Sequence, residues 1–175
     1  MNVKTLLRPI GALVAVGAAM LTSAPPAGAL PPDPQYTVSI KVSSELGSGY
    51  ECLGVYGTTA GTWVRTANCA TFKDRWDIVP GTGTWDSFFI RWSGTNMCLT
   101  TPSWKNYEAI LYPCEGHGDQ LWYQERLASG QQGYLTEFTP AFDTSKRLTS
   151  PPWSTATMSY ADTPYPDQEF WVDWY

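Results

Sequence analysis

His117 is the only histidine of the chain and sits in the turn Glu115-Gly-His-Gly-Asp119. A hydrolytic triad needs a histidine beside a nucleophile, oriented by a third group. A glycine-flanked turn beside a cysteine is more often plain solvated loop, and that is the expectation here. The 16 acidic residues make many accidental pairs, and none lies in a motif for two-carboxylate glycoside hydrolysis. The chain is therefore expected not to be an enzyme. Its four cysteines, Cys52, Cys69, Cys98 and Cys114, lack the tight C-x2-4-C spacing that zinc sites favour. No metal and no cofactor is expected.

The compartment decides how those cysteines are used. Lys4 and Arg8 form a positive n-region, Pro9 to Leu21 an apolar h-region, and Ala27-Gly28-Ala29 an A-x-A cleavage pattern. The apolar run is shorter than the roughly 20 residues a membrane helix needs. Residues 1–29 are thus expected to be a signal peptide, with a secreted, extracellular product starting near Leu30 and no membrane insertion. An even cysteine count in an oxidising compartment favours disulfides. The local pairs Cys52–Cys69 and Cys98–Cys114 recur at similar loop lengths, each worth about 3 kcal/mol on the chain-entropy model. Without Lys4 and Arg8 the chain has 9 basic against 16 acidic residues, a net charge of −7. That sign repels phosphate backbones, so nucleic acid is not an expected partner.

Residues 30–35 are a proline-rich lead-in. From Tyr36 on, short strands dominate: Tyr36 to Val42 alternates with period two, and Phe88–Trp92 and Tyr134–Phe138 are aromatic and β-branched runs. Turn clusters such as Pro80-Gly-Thr-Gly83 and Ser93-Gly-Thr-Asn96 separate them. No window of helical length carries an i, i+3, i+4, i+7 apolar pattern, so the class is all-β.

The stretch Cys98 to Trp122 repeats. Cys52 to Trp76 has the same outer spacing, and Arg147 to Trp171 is a version without cysteines. Leu53, Leu99 and Leu148 follow the opening positions. Three copies, at about 36–82, 83–128 and 129–175, each offer about four strands; in copy two these are Phe88–Trp92, Asn96–Thr100, Ala109–Cys114 and Leu121–Glu125. Such a unit cannot bury its apolar face alone, and three are too few for a propeller. A pseudo-threefold closed barrel with one capped end satisfies both conditions, with Trp76, Trp122 and Trp171 as equivalent core residues. The chain has nine tryptophans, more than such a core uses, so an exposed aromatic surface for a glycan or a protein is expected.

The thrice-repeated C-L-x-x…C…Q-x-W pattern resembles the ricin B-type lectins, over roughly Tyr36 to Tyr175. The resemblance implies a β-trefoil of three pseudo-repeats and a shallow sugar pocket in each. In that family an Asp two residues after the first cysteine accepts sugar hydroxyls, an aromatic two residues before the second cysteine stacks on the sugar, and polar groups by the Gln of Q-x-W complete the bonding. Carried onto this chain, copy two offers Thr100 at the Asp position, Tyr112 as platform and the pair Asp119-Gln120, with Trp104 and Asn106 in the intervening loop. Copy three offers Thr149, Tyr160 and Asp167-Gln168, with Trp153 in its loop. Copy one has Gly54, Ala67 and Lys73-Asp74, and should lack the chemistry. The candidate sugar contacts are therefore Thr100, Trp104, Asn106, Tyr112, Asp119, Gln120, Tyr160, Asp167 and Gln168. The implied role is binding of a glycan or glycoprotein, weak or of unusual specificity. The alternative is a protein-binding trefoil, such as a toxin receptor-binding subunit or a protease inhibitor.

Overall fold

The computed structural model describes residues 35–42, 51–70, 74–81, 86–129, 133–151, 154–161 and 167–174. The expected signal peptide lies outside these residues, as do Lys73, Trp85 and Trp153. Twelve strands follow one another: β1 (Tyr36–Val42), β2 (Glu51–Gly54), β3 (Arg65–Asn68), β4 (Arg75–Pro80), β5 (Phe88–Trp92), β6 (Met97–Thr100), β7 (Ile110–Pro113), β8 (Leu121–Ser129), β9 (Gly133–Pro140), β10 (Lys146–Thr149), β11 (Thr157–Tyr160) and β12 (Phe170–Trp174). The period-two pattern of Tyr36–Val42 does what it should, turning Val38, Ile40 and Val42 inward.

Six strands close a ring. β1 pairs with β4, β4 with β5, β5 with β8, β8 with β9, β9 with β12, and β12 returns to β1, all antiparallel. Closure removes the free edges that an open sheet would expose. The other six strands form three hairpins, β2–β3, β6–β7 and β10–β11, which cap one end. The fold is a β-trefoil.

The cap is joined at its centre by a cyclic set of backbone bonds. Val64 N–H donates to Ala109 C=O (2.9 Å), Ala109 to Ala156 (2.7 Å), and Ala156 back to Val64 (2.9 Å). These three residues are fully buried, so the ring satisfies polar groups that would otherwise be costly to bury. Small side chains let three chains meet on one axis.

Two of the hairpins are tied to a barrel strand by a tryptophan. Trp76 Nε1 donates to Leu53 C=O (2.8 Å) and Trp122 Nε1 to Leu99 C=O (3.3 Å), both buried. In copy three the equivalent is Phe170, not the expected Trp171. Trp76, Trp122 and Phe170 pair respectively with Trp92, Pro140 and Val42, each the last residue of a neighbouring barrel strand. Phe170 is fully buried while Trp171 is half-buried on the other face. The cause is strand alternation: the inward aromatic must stand two residues after Gln168, and Trp171 stands three after it. Phenylalanine has no N–H, so copy three lacks this tether.

Disulfides join Cys52 to Cys69 and Cys98 to Cys114, with Cα atoms 4.9 and 5.1 Å apart. Copy three substitutes charge. Arg147 stands at the cysteine position, its Nε donating to Glu137 (2.9 Å) and its guanidinium 3.7 Å from Glu125.

Candidate functional site

Copy two presents its candidates on the outer face of the β6–β7 hairpin and on the loops at its ends. Tyr112 stands on β7, half-buried. Ser103–Lys105 form a single 3-10 turn that ends on Asn106, an exposed left-handed residue (φ 52°) whose N–H returns to Ser103 C=O. Asparagine tolerates that conformation better than most side chains. This turn lifts Trp104 into solvent, 64% exposed, where it meets Tyr112 edge-to-face with ring centroids 6.4 Å apart. The expectation of an exposed aromatic surface is met here. Lys105 Nζ lies 5.6 Å from the Trp104 ring centroid.

Thr100 and Gln120 are not placed as expected. Both are buried. The Thr100 hydroxyl donates to Cys98 C=O (3.0 Å) and accepts from Gln120 Nε2 (3.1 Å). Gln120 also donates to Pro113 C=O (2.7 Å), and its Oε1 accepts from Glu115 N–H (2.8 Å) and Gly116 N–H (3.1 Å). With all these bonds made inside the protein, neither side chain is presented to a ligand. Gln120 is a brace that holds the 115–120 loop to the hairpin. Gln168 bonds to its own hairpin in copy three, donating to Thr149 Oγ1 (3.2 Å) and Tyr160 C=O (3.0 Å). A spacing pattern shows which residues recur; it does not show which way an amide turns.

Asp119 is the carboxylate left at the copy-two site. It is half-buried in the 3-10 turn Gly118–Gln120, and its C=O accepts from Thr101 N–H (3.1 Å). Burial pushes its carboxyl above the ordinary Asp range, partly offset by a backbone hydrogen bond and by His117. His117 is exposed, and among the described residues its ring bonds to Glu115 (3.1 Å) and to no hydroxyl. Among the described residues there is no cluster of three or more metal-ligating side chains.

Copy three is described in part. Tyr160 is 67% exposed. Its cationic neighbour, Lys146, is 5.7 Å from the ring but lies closer to Tyr107 (3.7 Å) and is paired to Asp143 (3.3 Å). Asp167 Oδ1 is buried without a hydrogen-bond partner, as is Ser150 Oγ beside it, whose backbone N–H meets Asp167 C=O at 2.8 Å. In copy one Ala67 is buried at the platform position and Asp74, in the brace position, accepts from Ser39 Oγ (2.5 Å).

One side chain outside the expected set borders the copy-two site. Trp63 of copy one pairs across to Ile110 on β7, two residues from Tyr112 and on the same face of the strand. No spacing argument within one repeat could have found it, because it arrives from the neighbouring repeat.

No protein-family model matches the chain, and no curated protein matches its sequence. Solved structures do match. A mosquitocidal holotoxin superposes with a TM-score of 0.65 at 17% identity, over 79% of this chain and 17% of that one. ThreeFoil, a designed threefold-symmetric protein, gives 0.61 at 14% identity, over 78% and 97%. A Polyporus squamosus lectin, bound to the epitope Neu5Acα2-6Galβ1-4GlcNAc, gives 0.59 at 16% identity, over 80% and 49%. The chain thus spans about a sixth of the toxin chain and half of the lectin chain. At these identities the likeness is one of fold.

Proposed function

We propose that this chain is a secreted, non-enzymatic carbohydrate-binding module of the ricin B lectin type, with its working site in copy two. The observation that carries this reading is the edge-to-face pair of exposed Trp104 and half-buried Tyr112, with half-buried Asp119 on the loop that Gln120 braces to the same hairpin. A sugar ring has a C–H face and a hydroxyl edge; an aromatic platform takes the first and a carboxylate the second. Asp119 replaces the missing family carboxylate, since Thr100 is engaged internally. The match to a lectin solved with a glycan agrees with this role. Copy three is a lesser site on Tyr160 and Asp167. The module takes no cofactor, and its acidic charge disfavours nucleic acid. No described helix is long and apolar enough to cross a membrane.

A glycan array with wild-type protein and Tyr112→Ala tests the proposal. The expected result is selective binding by wild type and a loss of about tenfold or more in the variant, from stacking worth about 0.5–1.5 kcal/mol plus the disturbed partner Trp104. Absence of glycan binding, or binding indifferent to Tyr112→Ala, overturns it.

The second reading, a protein-binding trefoil, draws on exposed Leu127 and Trp174 on the barrel wall, away from the cap. Large apolar groups of this kind are what interfaces use. Binding of a purified, enzymatically deglycosylated partner through Trp174 would favour it.

A further inference from the structure

We propose that the copy-two site is composite: Trp63 and Arg65 of copy one form a second subsite beside Tyr112 that receives an acidic sugar. This rests on the carbohydrate-binding reading above and extends it to a ligand of at least two residues, one bearing a carboxylate or sulfate.

The backbone brings the two repeats together. Leu111 N–H donates to Thr62 C=O (2.8 Å) and its C=O accepts from Gly61 N–H (2.8 Å), while Val64 N–H reaches Ala109 C=O (2.9 Å). Gly61 has φ 85°, and an added Cβ there would meet open space; its left-handed backbone forms the bulge that starts this short ladder. The hydrogen bonds flank Trp63 and Ile110, making them a non-hydrogen-bonded pair, the type with the closer side chains. Tyr112, two residues along β7, is then the diagonal neighbour of Trp63 on the same face, at the roughly 7–8 Å that large rings can span. Trp104 stands at the other side of Tyr112. Three aromatic rings from two repeats therefore share one surface, with Trp63 44% exposed.

Charge gives this surface its chemistry. Arg65 lies over Trp63, its guanidinium carbon 5.2 Å from the ring centroid, and Lys105 lies over Trp104. Both tryptophans beside Tyr112 thus carry a cation, and among the described residues neither cation forms an ion pair. Lys146, which lies over Tyr107 and Tyr160 in the cap, behaves differently: it is held by Asp143. Of the acids on the copy-two hairpin and its loops, Glu115 is paired with His117. In a chain of net charge −5, unpaired cations stacked on exposed tryptophans form a local exception suited to an anionic group. Arginine binds carboxylate and sulfate oxygens through two parallel N–H groups.

The test compares matched glycans on one neutral core: sialylated or uronylated, sulfated, and unmodified. Titrations use wild type, Arg65→Gln, Trp63→Phe and Tyr112→Ala, with near-ultraviolet circular dichroism to confirm folding. Wild type should prefer an acidic form by about tenfold, the order expected of one charge-assisted bond. Arg65→Gln should bring that ratio near one, and added salt should lower it in wild type only. The two acidic arms report which anion is taken. No acid preference in wild type, or a preference surviving Arg65→Gln, overturns the composite site while Tyr112-dependent binding to the neutral core would still uphold the lectin reading. Absence of binding on every arm overturns both.

Discussion

Copies two and three share a tyrosine near the hairpin end, a threonine at the strand end, and an Asp-Gln pair before the closing aromatic, yet they build different surfaces. In copy two a disulfide clamps the hairpin, Gln120 bonds to four groups across the loop, and Trp104 stands against Tyr112. In copy three an Arg147–Glu137 ion pair replaces the disulfide, Gln168 donates to Thr149 and to Tyr160 C=O, and among the described residues Asp167 turns one carboxylate oxygen into the interior without a partner. The lesson is that a binding motif and its scaffold erode separately. The glutamine bonds to the hairpin in both copies; in copy two a second aromatic stands against the tyrosine.

The comparison can be broken first at the core. Phe170→Ala should destabilise the fold by about 3–5 kcal/mol, like Trp122→Ala, whereas Trp171→Ala should cost well under half of that. Chemical denaturation of the three variants checks this, and a larger effect at Trp171 would restore it as the core aromatic. Next, replacing Cys98 and Cys114 with alanine should cost about 2–5 kcal/mol, against about 1 kcal/mol for Arg147→Met, because partly exposed ion pairs contribute little. Equal losses would mean that the ion pair is a full substitute for the disulfide.

A smaller effect concerns the Gln120 brace. Gln120→Ala leaves the 115–116 amides without their acceptor and should cost about 1–3 kcal/mol. Hydrogen exchange at Gly116 would rise in this variant. The smallest effect concerns Asp119. Its folded carboxyl titrates above its unfolded value, so the folded state binds the proton more tightly and stability falls as pH rises from 3.8 through that raised value. Asp119→Asn should therefore equal or slightly exceed wild type in thermal midpoint at neutral pH while binding glycan more weakly. A lower midpoint at neutral pH would show the carboxylate to be a structural anchor instead.

Much of the architecture was legible because it depends on period and spacing. The alternation in Tyr36–Val42, the recurrence of Leu53, Leu99 and Leu148, and the cysteine spacing all report burial, and burial leaves a one-dimensional trace. The register in copy three was misread because two adjacent aromatics, Phe170 and Trp171, compete for one inward position, and only strand pairing decides between them. The site was less legible. Whether Thr100 faces a ligand or accepts from Gln120 depends on rotamers. Whether Trp63 joins Tyr112 depends on a contact between repeats 49 residues apart in the chain.

On the proposed reading, the surface of copy two, and not the motif shared by both copies, binds sugar. Titration of the best array glycan against Tyr112→Ala and Tyr160→Ala tests it most directly. The account predicts a loss of about tenfold or more for Tyr112→Ala and less than about threefold for Tyr160→Ala, a separation of the order that one stacking partner supplies. Loss of binding in Tyr160→Ala with wild-type affinity in Tyr112→Ala would contradict it.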